Sequence, residues 1–256
     1  MSWRDAPLHT FDTVGSTNDV AMQLAASGAG EGTAVVADQQ MAGRGRHGRE
    51  WWSPPGAGMY LSMVVRPGAE ASSLGMVTLA AGVALASAVR EETGLPVELK
   101  WPNDLVIGRP WRKLGGILCE AAQLGTPDAC VIVGIGVNLR RSAYPPEIAD
   151  RATSIAEECA VDLTRDTLAQ ACRQSFDVVM ASLRAGQSAQ VLDTWRTFGA
   201  AALDHAPVRW RDADGERRGT TVNLDADGAL LVRAMGMPQP ERIVSGEVVW
   251  EMLTRD

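Results

Sequence analysis

The chain has 256 residues, 46% of them hydrophobic, and a formal net charge of −7 at pH 7. It is long enough to bury a full core in one large domain plus a small one, and its acidic balance argues against nonspecific binding to nucleic acid or membrane surfaces. Cys119, Cys130, Cys159 and Cys172 form no Cys-x-x-Cys pair and only three histidines accompany them, which leaves neither a disulfide framework nor a structural zinc site.

Ser16 or Thr17 is placed to cap a helix that carries Val20, Leu24 and Ala25 on one side and ends at Gly28. The apolar run Thr33 to Ala37 predicts a buried strand delivering Gln39 and Gln40 to the loop that follows, and Met59 to Arg66 predicts the next strand. Ser72 or Ser73 then opens an alanine-rich helix running to about Thr93, closed by Gly94 and Pro96. From Val97 the pattern turns to strands, Val97 to Lys100, Leu105 to Ile107, Lys113 to Ala122 and Cys130 to Val137, with antiparallel neighbours the simplest packing. A proline-bearing loop over 139–153 and two helices, about 163–185 and 188–199, come next. Around Ala200 to Ala206 the texture shifts to short strands punctuated by Asp214-Gly215 and Asp227-Gly228, so a boundary is expected between residues 1–203 and 204–256. The fold class expected is α+β, a mixed sheet with helices covering one face and a small C-terminal β-barrel. No run of about 18 apolar residues is present and Met1 to Pro7 has no signal-peptide character, from which a cytoplasmic address is expected.

Chemistry concentrates in Gly43-Arg44-Gly45-Arg46-His47-Gly48-Arg49. Glycines let main-chain N–H groups approach an anion, and arginines supply forked, permanently charged donors, a combination that suits phosphate or carboxylate. The spacing also matches the Gly-x-Gly-x-x-Gly dinucleotide fingerprint, but Pro54 and Pro55 forbid the helix that motif needs, and no Gly-Lys-Ser/Thr follows to make a Walker loop. Attack of a carboxylate on an α-phosphate brings two anions together, a repulsion of about 4 kcal/mol at ~4 Å in an effective dielectric near 20. Arg44, Arg46 and Arg49 suit the offset of that repulsion, and Lys113 offers a compact charge for oxygens that gain charge in the transition state. Lys100, Asn103 and Asp104 sit in a strand-to-turn segment where a carboxylate meets magnesium, phosphate or an incoming lysine, or serves only the turn.

Gly15-Ser16-Thr17-Asn18, the arginine loop, Lys100-Trp101-Pro102-Asn103-Asp104, Lys113-Leu114-Gly115-Gly116-Ile117-Leu118 and Gly134-Ile135-Gly136-Val137-Asn138-Leu139, in this order and spacing, resemble the catalytic region of biotin protein ligases. The resemblance implies a class II synthetase-like biotin–lipoate ligase fold with an SH3-like C-terminal barrel. It implies an enzyme that uses ATP, with magnesium, to activate biotin as biotinyl-5'-AMP and then transfers it to a lysine of a biotin carboxyl carrier domain. By the same resemblance Ser16, Thr17, Asn18 and Gln40 hold the ureido ring, and Arg44, Gly45 and Arg46 cover biotin and the adenylate. Lys113 and Gly116 finish that pocket, Trp51 stacks on adenine with Asn138 nearby, and Asp104 is the candidate base for transfer. Hydroxyls and amides are what a ureido ring requires, because it offers two N–H donors and a carbonyl acceptor. A form without the family's DNA-binding domain is expected, hence no nucleic acid and no membrane partner, as a monomer or weak homodimer. A lipoate ligase and a noncatalytic biotin or nucleotide sensor are the competing readings.

Overall fold

The computed structural model describes residues 3, 5–66, 74–122, 129–212 and 215–251. The first part of the chain lays down strand β1 (Leu8–Val14), helix α1 (Thr17–Ala26), β2 (Ala34–Gln40), β3 (Gly58–Val65), α2 (Leu74–Thr93), β4 (Glu98–Lys100), β5 (Asp104–Ile107), β6 (Arg112–Ala122) and β7 (Cys130–Asn138). The strands form one seven-stranded sheet in the order β1-β2-β3-β7-β6-β5-β4. Only β1 and β2 run parallel, and every other neighbouring pair is antiparallel. The mixed sheet is therefore as expected, while β1 is a strand that the polar sequence Thr10, Asp12, Thr13 conceals because it is a largely exposed edge.

Central strands β3 and β7 read as continuous apolar runs because both of their faces are covered. On one face Met59, Leu61, Met63 and Val65 pack with Val133, Ile135 and Val137 against α2, α4 (Arg165–Arg184) and α5 (Ser188–Phe198). On the other, Val35, Val64, Cys130 and Ile132 meet Ala21 and Ala25 of α1. Helices thus cover both faces, a correction to the one-sided arrangement. It arises because α1 carries small residues that let a short helix lie flat on the second face. Helix α2 is long and apolar enough to cross a membrane by composition, and it is instead the central helix of the core. The expected start of this helix at Ser72 or Ser73 lies outside the described residues. Between β7 and α4 the chain makes short 3-10 turns and the single-turn helix α3 (Ile155–Glu158).

After the single turn α6 (Ala200–Leu203), strands β8 (Pro207–Asp212), β9 (Gly215–Leu224), β10 (Leu230–Ala234), β11 (Glu241–Ile243) and β12 (Val248–Trp250) build a second, wholly antiparallel sheet of SH3-like character. Its apolar side, including Val208, Trp210, Leu230, Val232 and Trp250, joins the same core as α2. Two buried indoles fasten it: Trp101 donates to the Gly228 carbonyl at 3.1 Å and Trp250 to the Ala202 carbonyl at 3.1 Å. The β11–β12 connection thereby lines the same cavity as the turn where Lys100 ends β4 and Asp104 begins β5.

The N-terminal segment is plugged into the helical layer by Trp3, which is 2% exposed and meets Phe176 edge-on with ring centroids 5.0 Å apart. Arg173, itself buried, donates to the carbonyls of Trp3 and Ala6 at 2.6 Å each. Removing the indole leaves a large cavity beside that guanidinium. Trp3→Ala is expected to lower unfolding stability by about 3 kcal/mol, read from the denaturant midpoint at unchanged m-value.

Candidate functional site

One cavity of about 980 Å³ opens between the end of β5–β6–β7, the arginine loop, the 139–153 segment and the β11–β12 connection. Every residue singled out from the sequence lines it: Ser16, Thr17, Asn18, Gln40, Arg44, Gly45, Arg46, Arg49, Trp51, Lys100, Asn103, Asp104, Lys113, Gly116 and Asn138. They divide between two ends with different chemistry.

The first end is neutral and hydrogen-bonded. Ser16 stands at the N-cap of α1, but its side chain makes no cap hydrogen bond. This corrects the reading of Ser16 or Thr17 as a cap: Ser16, Thr17 and Asn18 are all buried, and Thr17 and Asn18 turn inward onto the sheet. The Gln40 Oε1 accepts the Thr17 backbone N–H at 2.9 Å and lies 3.0 Å from Thr17 Oγ1. Ser62 of β3 reaches Thr17 Oγ1 at 2.8 Å and Asn18 Oδ1 at 2.6 Å, while Asn18 Nδ2 donates to Glu120 Oε2 at 2.6 Å. Room for Asn18 exists because position 134 is glycine, where an added Cβ would stand 2.3 Å from Asn18 Oδ1.

The second end is cationic. Lys113 Nζ pairs with Asp104 Oδ1 at 2.6 Å, and Lys100 Nζ stands 4.0 Å from Asp104 Oδ2. Burial lowers the Lys100 pKa, with Asp104 opposing and Lys113 reinforcing that shift. Lys100 also faces the Trp250 ring at 5.2 Å and Lys113 faces Trp51 at 5.3 Å, so both ammonium groups rest on aromatic faces. Asn103 donates Nδ2 to the Ile117 carbonyl at 2.8 Å, which leaves its Oδ1 to accept from Arg46 at 3.3 Å. Trp51 lies across Gly136 and Gly116, and a Cβ on Gly136 would meet the indole at 2.6 Å. The indole Nε1 is buried with no protein partner.

The arginine loop is closed like a miniature hairpin, Gly45 N–H to the Arg49 carbonyl at 2.7 Å and Trp51 N–H to the Gly43 carbonyl at 2.9 Å. His47 takes the left-handed conformation with φ 56° at its tip. The sequence treats its three arginines alike, and the structure separates them. Arg44 is gripped by both Asp19 oxygens at 2.9 and 2.6 Å, with Glu120 at 3.4 Å. That hydrogen bonding holds Asp19 below the usual carboxylate range and raises the Arg44 pKa. Arg49 pairs with Glu247 at 2.6 Å, mostly in solvent. Arg46 alone bonds to neutral acceptors, Asn103 Oδ1 and the Gly246 carbonyl at 3.1 Å, while burial lowers its pKa. Its charge is thus the least compensated of the three.

Asn138 ends β7 and donates to the Thr153 carbonyl at 2.9 Å, tying the 139–153 segment to the sheet. Lys113 extends that tie through backbone bonds with Arg151 and Thr153 at 2.8 and 3.0 Å. Ser62 and Glu120 carry no signal in the sequence, and neither the room Gly134 leaves for Asn18 nor the part Gly246 and Glu247 play is marked there. Ser62 and Glu120 sit inside strands whose apolar or motif-bearing neighbours gave the signal, and Gly246 lies some 200 positions from Arg46, a separation no local pattern spans.

A family model described as the biotin/lipoate A/B protein ligase family matches residues 10–138. The chain is 31% identical over 223 residues to the bifunctional ligase/repressor BirA of Bacillus subtilis, covering 86% of this chain and 67% of that protein. It is 32% identical over 225 residues to a biotin–[acetyl-CoA-carboxylase] ligase of Paracoccus denitrificans, covering 85% of this chain and 90% of that one. Among solved structures, the biotin protein ligase from Aquifex aeolicus in complex with biotin and ATP superposes with a TM-score of 0.81 at 28% identity, over 95% of this chain and 97% of the other. The fold is that of the biotin protein ligases. The chain belongs to the biotin/lipoate A/B protein ligase family, a family of enzymes.

Holding a partly buried guanidinium with neutral acceptors costs folding energy, and an anion placed against Arg46 would relieve that cost. Arg46→Gln is expected to leave the thermal midpoint unchanged or raised, while weakening pyrophosphate binding by about 10- to 100-fold in calorimetry, the scale of a lost charge-assisted contact.

Proposed function

We propose that the protein is an ATP-dependent biotin–protein ligase that forms biotinyl-5'-AMP and transfers biotin to a lysine of a biotin carboxyl carrier domain, acting in the cytoplasm. The observation that carries this reading is one cavity with two unlike ends, a hydroxyl–amide ladder suited to a ureido ring and a cluster of Arg46, Lys113 and Lys100 suited to a carboxylate meeting phosphates. Family membership and the likeness to a biotin–[acetyl-CoA-carboxylase] ligase suggest the substrate class.

In the first step a biotin carboxylate oxygen attacks the α-phosphorus of ATP, the bond to the β-phosphate oxygen breaks, and pyrophosphate leaves with the electron pair. Arg46 and Lys113 are the groups we assign to the converging anions, because preorganised charge costs no rearrangement when negative charge develops. Trp51, held flat over Gly136, is assigned to the adenine face, with its unpartnered Nε1 available to the nucleotide. In the second step the carrier lysine nitrogen attacks the acyl carbon, the bond to the AMP oxygen breaks, and the amine gives up a proton. Asp104, already paired with Lys113, is assigned to orient that amine and take its proton. Magnesium would arrive on the nucleotide's phosphates: among the described residues no group of three His, Cys, Asp or Glu side chains is placed to hold an ion. We assign residues 1–203 to the catalytic unit and 204–256 to a barrel whose Gly246 and Glu247 steady the arginine loop.

The deciding experiment supplies ATP, magnesium and a carrier domain with either biotin or lipoate, and weighs the carrier by mass spectrometry. A carrier bearing biotin is expected; lipoate alone on the carrier, or no modification despite biotin binding, would replace this reading with the lipoate ligase or the sensor. Lys113→Ala is expected to lower pyrophosphate release by about 10²- to 10³-fold with the fold intact by circular dichroism. Asp104→Asn is expected to slow transfer to the carrier more than adenylate formation, and equal loss in both steps in single-turnover assays would remove Asp104 from the base role.

A further inference from the structure

The ladder at the neutral end of the cavity is one proton short. Three contacts run along it: Ser62 Oγ to Asn18 Oδ1 at 2.6 Å, Ser62 Oγ to Thr17 Oγ1 at 2.8 Å, and Thr17 Oγ1 to Gln40 Oε1 at 3.0 Å. Two hydroxyl protons serve these three contacts, and an amide oxygen closes each end. Either one of the amides is turned over, or one contact has no proton in it.

Gln40 is pinned twice. Its Oε1 must accept the Thr17 backbone N–H at 2.9 Å, and its Nε2 donates to Ser53 Oγ at 3.0 Å, whose own proton is given to the Trp51 carbonyl at 2.8 Å. Asn18 is pinned by Glu120. Its Nδ2 faces Glu120 Oε2 at 2.6 Å and the Leu118 carbonyl at 3.5 Å, and turning the amide over would press Oδ1 against a carboxylate. With both amides set as acceptors, two protons are left for three contacts, so however the hydroxyls turn the ladder holds one acceptor more than its own protons can fill. The Thr17 hydroxyl is placed to donate to Gln40 Oε1 at 3.0 Å, and an N–H donor arriving at that pair would free the Thr17 proton for Ser62 Oγ at 2.8 Å.

We propose that Glu120 is a positioning residue that sets the direction of this ladder through Asn18, so that Thr17 Oγ1 and Gln40 Oε1 present paired acceptors to an N–H donor of the ligand. Identifying that donor as a ureido N–H rests on the biotin reading above; the direction of the ladder does not. Turning the Asn18 amide over would commit the Ser62 proton to Thr17 and hold the Thr17 proton on Gln40, set against the N–H that the pair has to receive. The same Glu120 oxygen lies 3.4 Å from the Arg44 guanidinium, but both Asp19 oxygens hold that guanidinium at 2.9 and 2.6 Å, so the arginine loop stays anchored without Glu120.

The test compares wild type, Glu120→Gln, and the double variant Asn18→Asp with Glu120→Gln, each as the full chain. In the double variant an acceptor-only side chain at 18 still receives the Ser62 proton on one oxygen and a glutamine N–H on the other, which restores the direction with the charge moved across the contact. In ligand-free protein, the Asn18 side-chain amide protons observed by NMR are expected to be protected from exchange in wild type and to lose that protection in Glu120→Gln. In calorimetry, Glu120→Gln is expected to weaken biotin by about 10- to 100-fold, and the double variant to recover to within about 5-fold of wild type. ATP affinity measured without biotin is expected to move by less than about 2-fold, which a general loss of structure would not permit. Unchanged Asn18 protection in Glu120→Gln overturns the proposal, as does a biotin loss that the double variant fails to recover. Asn18 protection that depends on Glu120 in a protein that binds no biotin sustains the ladder and removes the biotin reading instead.

Discussion

The site depends on holding four cations close together before any ligand arrives. Lys100, Lys113, Arg46 and Arg49 converge on one cavity against the two carboxylates of Asp104 and Glu247, in a chain whose overall charge is −7. Lys113 and Arg49 each oppose the charge on Lys100, so the scaffold has to be stiff enough to impose the arrangement. Stiffness comes from sheet geometry. Lys113 sits on β6, Asp104 on β5 and Lys100 on β4, three consecutive antiparallel strands whose register sets Lys100 opposite Asp104 and Asp104 opposite Gly116.

Arg46 and Arg49 cannot be fixed that way, because they lie on a loop, and the second sheet solves the problem. Trp101 and Trp250 lock that sheet onto the core, and its β11–β12 connection then offers the Gly246 carbonyl to Arg46 and the Glu247 carboxylate to Arg49. The two contacts differ in kind. A carbonyl orients a guanidinium without cancelling its charge, whereas an exposed carboxylate partly offsets it and is itself weakened by solvent and salt. The arginine whose charge must stay available is the one given the neutral partner.

Much of this was legible in the sequence because the chemistry is clustered in short motifs. Gly43 to Arg49, Lys100 to Asp104 and Lys113 to Gly116 each keep their functional groups within seven positions, and the β4–β5–β6 register, with its shift between Lys113 and Gly115, brings the last two segments together. The central strands β3 and β7 declare themselves by unbroken apolar runs. What stayed hidden has a common cause. β1 is an edge strand with polar residues on exposed positions, so no periodicity marks it. Ser16 and Thr17 read as helix caps because the local pattern favours capping, yet Gln40, Ser62 and Glu120 draw the Thr17 and Asn18 side chains into the sheet. Three like arginines in one loop acquire different roles only through Asp19, Gly246 and Glu247, which are distant in sequence.

The two ends of the cavity also meet their demands by opposite means. At the cationic end, recognition works by leaving charge uncompensated, a state that is costly in the free protein and relieved by an anion. At the neutral end almost every donor and acceptor is already satisfied, from Ser53 through Gln40 and Thr17 to Ser62, Asn18 and Glu120, and discrimination comes from where the single missing proton falls. A charged end attracts any phosphate or carboxylate, so it cannot choose among acids by itself. A ladder with more acceptors than protons favours a ligand that brings the matching N–H, because a ligand without it leaves a buried acceptor unpaired, the kind of loss that separates near-analogues most strongly. On the function proposed above, selectivity for one small acid would therefore reside at the hydrogen-bonded end rather than at the cationic one.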